Sequence, residues 1–498
     1  MKRLLTLMVI CCFLVATAGI SFASEFSSYG YFRTTVQFQN NQDFNDDSTD
    51  ETFAAEQRVR QFFEYKSSEN LKAVVGFEFD SIWGDNGEDP SYYGIHGDQG
   101  DDGKGDLSLK HAYLDFDLPQ KDVNFKIGGQ YMALPGISYT SPVLGCDAPG
   151  IKVNTTINKN LDMNLGWVRA IEDGAAYGGD NLGGRGAEAD MLFVTAPYSQ
   201  DKVSITPWAS YAYVGKDAAS SYAGYYDFSG NKPSSYSAGR QGFGVMSMGT
   251  VLDNSTAKPY TGSLNAYWLG FYTKIDTVEN MSLQAEASYG SVSADKNYHD
   301  RSGFWFRGLA DYTGLDNVTP ALFGFYSSGE NDDLSDGSET FPYFANDGYT
   351  TTETGYVAGF GSNTNLGSYD YALMQYVPHA MWQVGLAAKD FSLMEKCSHT
   401  LAVSYMMGTN DEGVVDALQS ADDQTTKRMK GEMTTEDSAF EIDFNTTYSI
   451  YENLDFLLEL GYAQMDMDKS TWKGTSVEDN NYLDDPAYKC VTGIKYSY

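Results

Sequence analysis

The sequence predicts an all-β protein: a transmembrane antiparallel β-barrel of eighteen strands, with short turns at one end and long loops at the other. Three observations predict it. Apolar residues occupy every second position in segment after segment. Short polar corners join these segments in pairs. Long stretches rich in Gly, Asp, Ser and Asn separate one pair from the next. Alternation with a period of two is the signature of a strand whose two faces meet different surroundings.

The alternation is clearest after the corner Glu69-Asn70. Leu71, Ala73, Val75, Phe77 and Phe79 share one face, against Lys72, Val74, Gly76, Glu78 and Asp80. The corner Glu452-Asn453 opens the same plan, with Leu454, Phe456, Leu458, Leu460 and Tyr462 opposite Asp455, Leu457, Glu459 and Gly461. Phe440 to Tyr448, Met281 to Tyr289, Ala112 to Leu118 and Val123 to Tyr131 alternate likewise. Further corners stand at Lys159-Asn160, Glu279-Asn280 and Asp316-Asn317, and near 119–122, 198–202 and 389–396. The spacing predicts a left-handed backbone at each corner Asn, which tight hairpins favour.

Eight short turns join sixteen strands. One strand before them (Tyr29–Gln39) and one after (Tyr488–Tyr498) give eighteen, or sixteen if the weakly patterned segments 150–158 and 318–326 are not strands. Long polar stretches fall at 81–106, 171–187, 215–262, 327–376 and 408–438. Turns at one end and loops at the other are an asymmetry that outer-membrane barrels keep. Lipid offers no hydrogen-bond partner, so a spanning sheet must close on itself. The apolar row then faces lipid and the polar row faces inward. Tyr65, Tyr131, Tyr289, Tyr405, Tyr448 and Tyr462 lie near strand ends, where an interfacial aromatic girdle belongs.

Composition sets outer bounds. The chain has 498 residues, 50 Gly, 13 Pro and 37 Tyr, a mix that favours sheet over helix. Lys2 and Arg3, the apolar run Leu4 to Ile20, and Ser21-Phe22-Ala23 read as a Sec-type signal peptide over residues 1–23, which leaves 24–498 as one barrel domain. The formal net charge is −35, and losing Lys2 and Arg3 makes it two units more negative. Such a chain repels phosphate, so nucleic acid is not an expected partner. Cys146, Cys397 and Cys490 form no disulfide framework, and His96, His111, His299, His379 and His399 show no metal-ligand spacing. No His has a recognisable Ser or Asp partner for catalysis, so no enzyme is expected. A TonB-dependent receptor would need a plug domain before strand 1, and a soluble adhesin would not need the end-to-end asymmetry.

The final YKCVTGIKYSY, an alternating strand with an aromatic last residue, resembles the recognition signature of outer-membrane barrels. The segment Tyr29-Gly30-Tyr31-Phe32-Arg33, the basic Arg58-Val59-Arg60, SENLKAVVGFEFD and NFKIGGQYMALPG with its following loop together resemble trimeric general porins, most of all the homotrimeric porins of sulfate-reducing bacteria. The resemblance spans the mature chain. It implies a water-filled outer-membrane channel for passive diffusion of ions and small hydrophilic solutes. It also implies a homotrimer in contact with outer-membrane lipid and lipopolysaccharide. It makes Met132 to Gly150, with Pro135, Pro142 and Pro149, a candidate constriction loop. It places a basic cluster on the facing wall, here Arg33, Arg58, Arg60, Lys72 and Lys126. The loop carries a single carboxylate, Asp147, and Glu64, Glu78 and Asp80 supply negative charge from the wall. No cofactor is expected. The acidic stretch DQGDDGKGD (98–106) resembles a calcium loop but lacks its terminal Glu, so calcium enters only as a bridge at acidic external loops. The alternative is a substrate-specific porin in which inward aromatics such as Tyr31 and Tyr113 form a track for sugar or peptide.

Overall fold

The structure is a computed structural model that describes residues 25–41, 44, 52–83, 95–96, 106–137, 140–172, 186, 188–216, 218, 262–346, 380–421, 433–479 and 481–498. Residues 1–23 and 98–105 lie outside the described residues, as does most of the long external stretches.

Eighteen strands form the wall: β1 (Glu25–Asn40), β2 (Thr52–Ser68), β3 (Leu71–Trp83), β4 (Asp106–Asp117), β5 (Val123–Ala133), β6 (Leu144–Asn158), β7 (Leu161–Glu172), β8 (Glu188–Thr195, resuming as Tyr198–Gln200), β9 (Val203–Val214), β10 (Leu264–Ile275), β11 (Met281–Ser293), β12 (Arg301–Tyr312), β13 (Thr319–Ser327), β14 (Met381–Phe391), β15 (Cys397–Gly408), β16 (Ser438–Tyr451), β17 (Leu454–Asp466) and β18 (Ala487–Ser497). Each pairs antiparallel with its sequence neighbour. β1 pairs with β18 from Tyr31↔Ser497 to Asn40↔Tyr488, which closes the ring. The terminal Tyr498 completes the closure. Its N–H donates to the Gly30 carbonyl at 3.0 Å and its carbonyl accepts the Gly30 N–H at 2.9 Å. The weakly patterned segments 150–158 and 318–326 belong to β6 and β13, so the count is eighteen and not sixteen.

The rows predicted to face lipid do point outward. Leu114 and Tyr289 are each 50% exposed, and Leu71 and Leu460 are 41% and 40% exposed. Exposed tyrosines form two belts: Tyr65, Tyr198, Tyr312, Tyr448 and Tyr496 near the turns, and Tyr131, Tyr267, Tyr289, Tyr326 and Tyr405 near the loops. Tyr462 is half-buried and packs edge-on against Tyr488.

All eight predicted turns occur, but the corner asparagines need correcting. Asn280 has φ 58°, whereas Asn70, Asn160, Asn317 and Asn453 do not enter the left-handed region. In three of those four corners, a one-residue register shift precedes the turn: between Lys66 and Ser68, Thr156 and Asn158, and Ser449 and Tyr451. The bulge supplies the twist that a left-handed residue supplies elsewhere. This is why the Glu-Asn-Leu and Lys-Asn-Leu corners repeat as a unit.

The interior differs along its axis. Near the turns the inner face is charged. Near the loops it is apolar, with Ala266, Trp268, Val292, Trp305, Met406, Ala439 and Ala463 buried beneath segments that fold into the barrel. The sequence reading expected a polar inner face throughout. The apolar inner positions exist because residues 134–137, 140–143, 328–346, the helix α1 (Gly413–Ala421), 467–479 and 481–486 return to cover them.

Close strand approach fixes the seam between β1 and β2. A Cβ on Gly30 would fall 2.0 Å from the Arg60 carbonyl oxygen on β2. Gly30→Ala is therefore expected to destabilise the barrel by about 1–3 kcal/mol, the usual cost of overpacking. Heat-modifiable gel mobility measures this, and an unchanged transition would refute the close seam.

Candidate functional site

The candidate site is the charged inner wall of β1 to β6, together with β18. Strand register sets its layout. Arg33 lies opposite Arg58 on one side and Lys495 on the other, and Arg58 lies opposite Asp80. Three cations thus stand side by side on adjacent strands, bounded by Asp80 and by Asp455 opposite Lys495. One step toward the turns, Tyr31 faces Arg60 and Arg60 faces Glu78. The Tyr31 ring lies under all three neighbouring cations, with Arg33, Arg60 and Lys495 at 5.9, 5.6 and 5.3 Å from its centroid. That is cation–π geometry.

Carboxylates hold several of these cations. Arg58 makes a bidentate pair with Asp80, both bonds 2.7 Å. Arg60 pairs with Glu78. Lys72 donates to Glu64 at 3.2 Å and lies 4.0 Å from Asp115. Lys126 sits over the Tyr113 ring at 3.9 Å. The wall is solvated: the side chains of Arg58, Glu78, Asp147, Glu64, Arg60 and Lys72 keep between 13% and 36% of their exposure. Water screens such pairs, so each adds little stability by itself.

Asp147 is placed differently from the rest. It lies on β6 opposite Tyr131, where β5 has already left β4. Its oxygens reach Lys110 at 2.5 Å and His111 at 2.9 Å, and Lys110 lies 3.6 Å from Glu78. Thus Asp147 and Glu78 share Lys110, and all nine predicted residues belong to one surface of the barrel.

The sequence reading missed Lys110, His111, Asp115, Lys152 and Lys495. Lys110 carries a signal that could have been found. Leu107 and Leu109 are apolar at odd positions, then Ala112, Leu114 and Phe116 at even ones. A phase change of this kind marks a bulge, and the register does shift there, at Gly76/Phe77. Lys152 follows from plain alternation on β6, where its Nζ donates to the Tyr131 carbonyl at 2.8 Å. Lys495 needed the β1–β18 closure.

An aromatic strip runs beside the charges. Tyr29 stacks on Phe62 (5.3 Å, 13°), Phe62 meets His111 (5.4 Å), and His111 meets Tyr113 (6.1 Å). The strip crosses β1 to β4 on the inner face.

Residues 134–137 and 140–143 leave the wall, and Ile137 reaches across the interior. The Ile137 N–H donates to Glu286 Oε2 on β11 at 2.7 Å, and the Trp305 indole N–H donates to Glu286 Oε1 at 3.1 Å. The Ile137 side chain packs with Leu309, Ala321, Phe323, Ala387 and Ala402, on β12 to β15. Residues 328–346 lie against this segment: the Phe344 N–H donates to the Val143 carbonyl at 2.9 Å, and Ala345–Asn346 pairs with Leu144–Gly145.

A further histidine contact was not anticipated. Cys397 Sγ lies 3.4 Å from His399 Nε2, and Thr446 Oγ1 lies 2.8 Å from Nδ1. The pair is on the outward face and is covered by the Phe391 and Phe444 rings, so it belongs to wall packing rather than to the interior. Among the described residues, no group of three or more His, Cys, Asp or Glu side chains could hold a metal ion.

No family model matches the chain, and no curated protein matches it. Solved structures do. Acinetobacter baumannii OccAB4 aligns over 95% of this chain and 98% of its own, with a TM-score of 0.52 at 8% identity. Pseudomonas aeruginosa OccK9 (OpdG) aligns over 95% and 99% (0.51, 9%), and OccK8 (OprE) over 95% and 98% (0.50, 12%). At these identities the likeness is one of fold. The protein is a closed, eighteen-stranded transmembrane β-barrel.

Proposed function

We propose that the protein is an outer-membrane channel that passes small hydrophilic solutes down their gradient, and that it selects among them. One observation carries this reading. The loop end of the barrel is packed with inward-folded chain, while the wall of β1 to β6 keeps charged side chains in contact with water. A path confined to one charged, aromatic wall discriminates better than a wide lumen. Residues 132–150 serve as the constriction, and Arg33, Arg58, Arg60, Lys72 and Lys126 line the path with Glu64, Glu78, Asp80 and Asp147.

The selective reading is favoured over an unselective sieve by the strip from Tyr29 to Tyr113. It offers flat faces to sugar rings or peptide side chains, with cations alongside for a carboxylate. The porin resemblance makes the assembly a homotrimer in the outer membrane of a Gram-negative cell, reached through the signal peptide and bordered by lipopolysaccharide.

The test is conductance of purified, detergent-extracted protein in a planar bilayer, with sugars and short peptides added in turn. Openings in groups of three and a saturable block by one solute class are expected. Tyr113→Ala should weaken that block roughly two- to tenfold, the equivalent of one lost ring contact. Conductance without any solute block returns the protein to a general porin. Absence of conductance from folded protein removes the channel reading.

A further inference from the structure

Residues 328–346 form a strap that leaves β13, lies inside the barrel and meets the 134–143 segment. Its seat is specific. The Trp268 indole N–H donates to the Pro342 carbonyl at 2.8 Å, and Arg301 donates to the carbonyls of Thr340 and Phe341, both at 2.8 Å. The wall yields space for it: a Cβ on Gly303 would fall 2.4 Å from Ser328 Oγ and 2.6 Å from the Glu339 carbonyl oxygen.

The base of the strap holds a carboxyl group that ordinary packing does not explain. Glu330 is 2% exposed. Its Oε2 accepts from the Ser338 hydroxyl, which also contacts Thr340 Oγ1 at 2.9 Å, while its Oε1 has no hydrogen-bond partner. The Glu339 carboxylate interacts with it directly. Two carboxyl groups this close, one of them out of water, do not both ionise cheaply.

The other groups around Glu330 come from three elements. Arg301 of β12 is the nearby cation, and it spends donors on strap carbonyls. Asp300, just before β12, meets the strap through its carbonyl, which accepts the Ser338 N–H at 2.9 Å. From the segment after β15, Asn410 Oδ1 accepts the Glu330 N–H at 2.9 Å, and the Asp411 N–H donates to the Glu330 carbonyl at 2.8 Å. Asp332 and Asp333 on the strap point to solvent. Acidic groups thus outnumber cations around the buried carboxyl.

We infer that the strap is a proton-operated latch: Glu330 holds a proton while the strap is seated, and loss of that proton drives the strap out of the barrel. Burial, with Glu339 adding to it, pushes the Glu330 carboxyl up to about 8. The seated form therefore holds a proton that a released, solvated Glu330 gives up near its ordinary value. The proton's contribution to seating is complete only below the ordinary carboxylate range, falls as pH rises from there, and is lost as pH passes the seated value.

The test uses the intact protein and two readouts. Hydrogen exchange over 327–346, corrected for the intrinsic rate, is expected to rise at least tenfold between pH 6.5 and pH 9. In a planar bilayer, conductance is expected to step up over the same range. Glu330→Gln, neutral at every pH, should keep both flat, and Glu339→Gln, which removes a group that pushes the Glu330 carboxyl up, should shrink the rise. Heat-modifiable mobility verifies that each variant folds. Exchange that stays flat in the native protein, or a rise that persists in Glu330→Gln, overturns the latch. The exchange readout does not depend on transport: a pH-dependent strap in a protein without conductance would refute the channel and keep the latch.

Discussion

Replacing Glu286 by alanine is expected to raise single-channel conductance severalfold while leaving the barrel folded. Glu286 is 3% exposed and accepts two hydrogen bonds, from the Ile137 backbone across the lumen and from the Trp305 indole. Its truncation leaves two buried donors unsatisfied, at about 1–3 kcal/mol each. It also removes the carboxylate lying opposite Arg307 on β12. A further hold at the loop tip is the burial of Ile137 among Leu309, Ala321, Phe323, Ala387 and Ala402, worth about 1.5–3 kcal/mol. Losses of this size are comparable with the hold itself, since about 1.4 kcal/mol is tenfold in population. The double change Glu286→Ala with Ile137→Ser should free the tip around Ile137 further, while the strap contacts at Val143 and Leu144 keep the base of the segment in place. Conductance in a planar bilayer reports it, with heat-modifiable mobility as the folding check. If both variants fold and conduct as the native protein does, residues 134–143 do not limit the pore.

The second large effect concerns ion preference. The chain is strongly acidic overall, yet Arg58, Arg33 and Lys495 stand on adjacent strands in one row. Distant surface charges are screened within about 10 Å at ordinary salt, whereas a row on a narrow wall acts at contact. The row is therefore expected to set the selectivity, in favour of anions, against what the net charge suggests. Replacing Arg33 and Lys495 by Gln should shift the cation-to-anion permeability ratio by roughly twofold or more toward cations. The same change should alter stability by less than about 1 kcal/mol, because the like-charge cost of about 0.2–1 kcal/mol that it removes is offset by the lost contacts with Tyr31. Reversal potential under a salt gradient measures the first part and thermal unfolding the second. A reversal potential already on the cation side in the native protein, unmoved by the substitutions, would assign selectivity to the acidic loops instead.

Much of the site was readable because it lies on regular strand. Arg33, Arg58, Arg60, Lys72, Glu78, Asp80 and Lys126 fall on polar rows, and period-two geometry sends a whole row to one side. Which member faces which was not readable. The pairing of Arg58 with Asp80 depends on the register between β2 and β3, and the Arg33–Lys495 contact on a closure that joins the two ends of the chain. Asp147 was assigned to the facing loop, yet it reaches the wall through Lys110 and His111, brought within its range by a bulge on β4.

By itself the sequence determined the strand class, the eight turns, the lipid-facing rows and the aromatic C-terminal seal, because each depends on a residue and its neighbours a few positions away. Alternation, corner chemistry and turn spacing are local, and a membrane rewards them uniformly along the wall. The tertiary structure alone decided what fills the barrel. Ile137 meets Glu286 across 149 residues of chain, and Trp472 meets Asp437 across 35. Neither segment has a periodic pattern of its own. The apolar inner positions Trp268 and Trp305 are buried by the strap that returns over them, so their partners exist only once the wall has closed. A contact of that kind depends on where a whole barrel places two distant segments, and no local period records it.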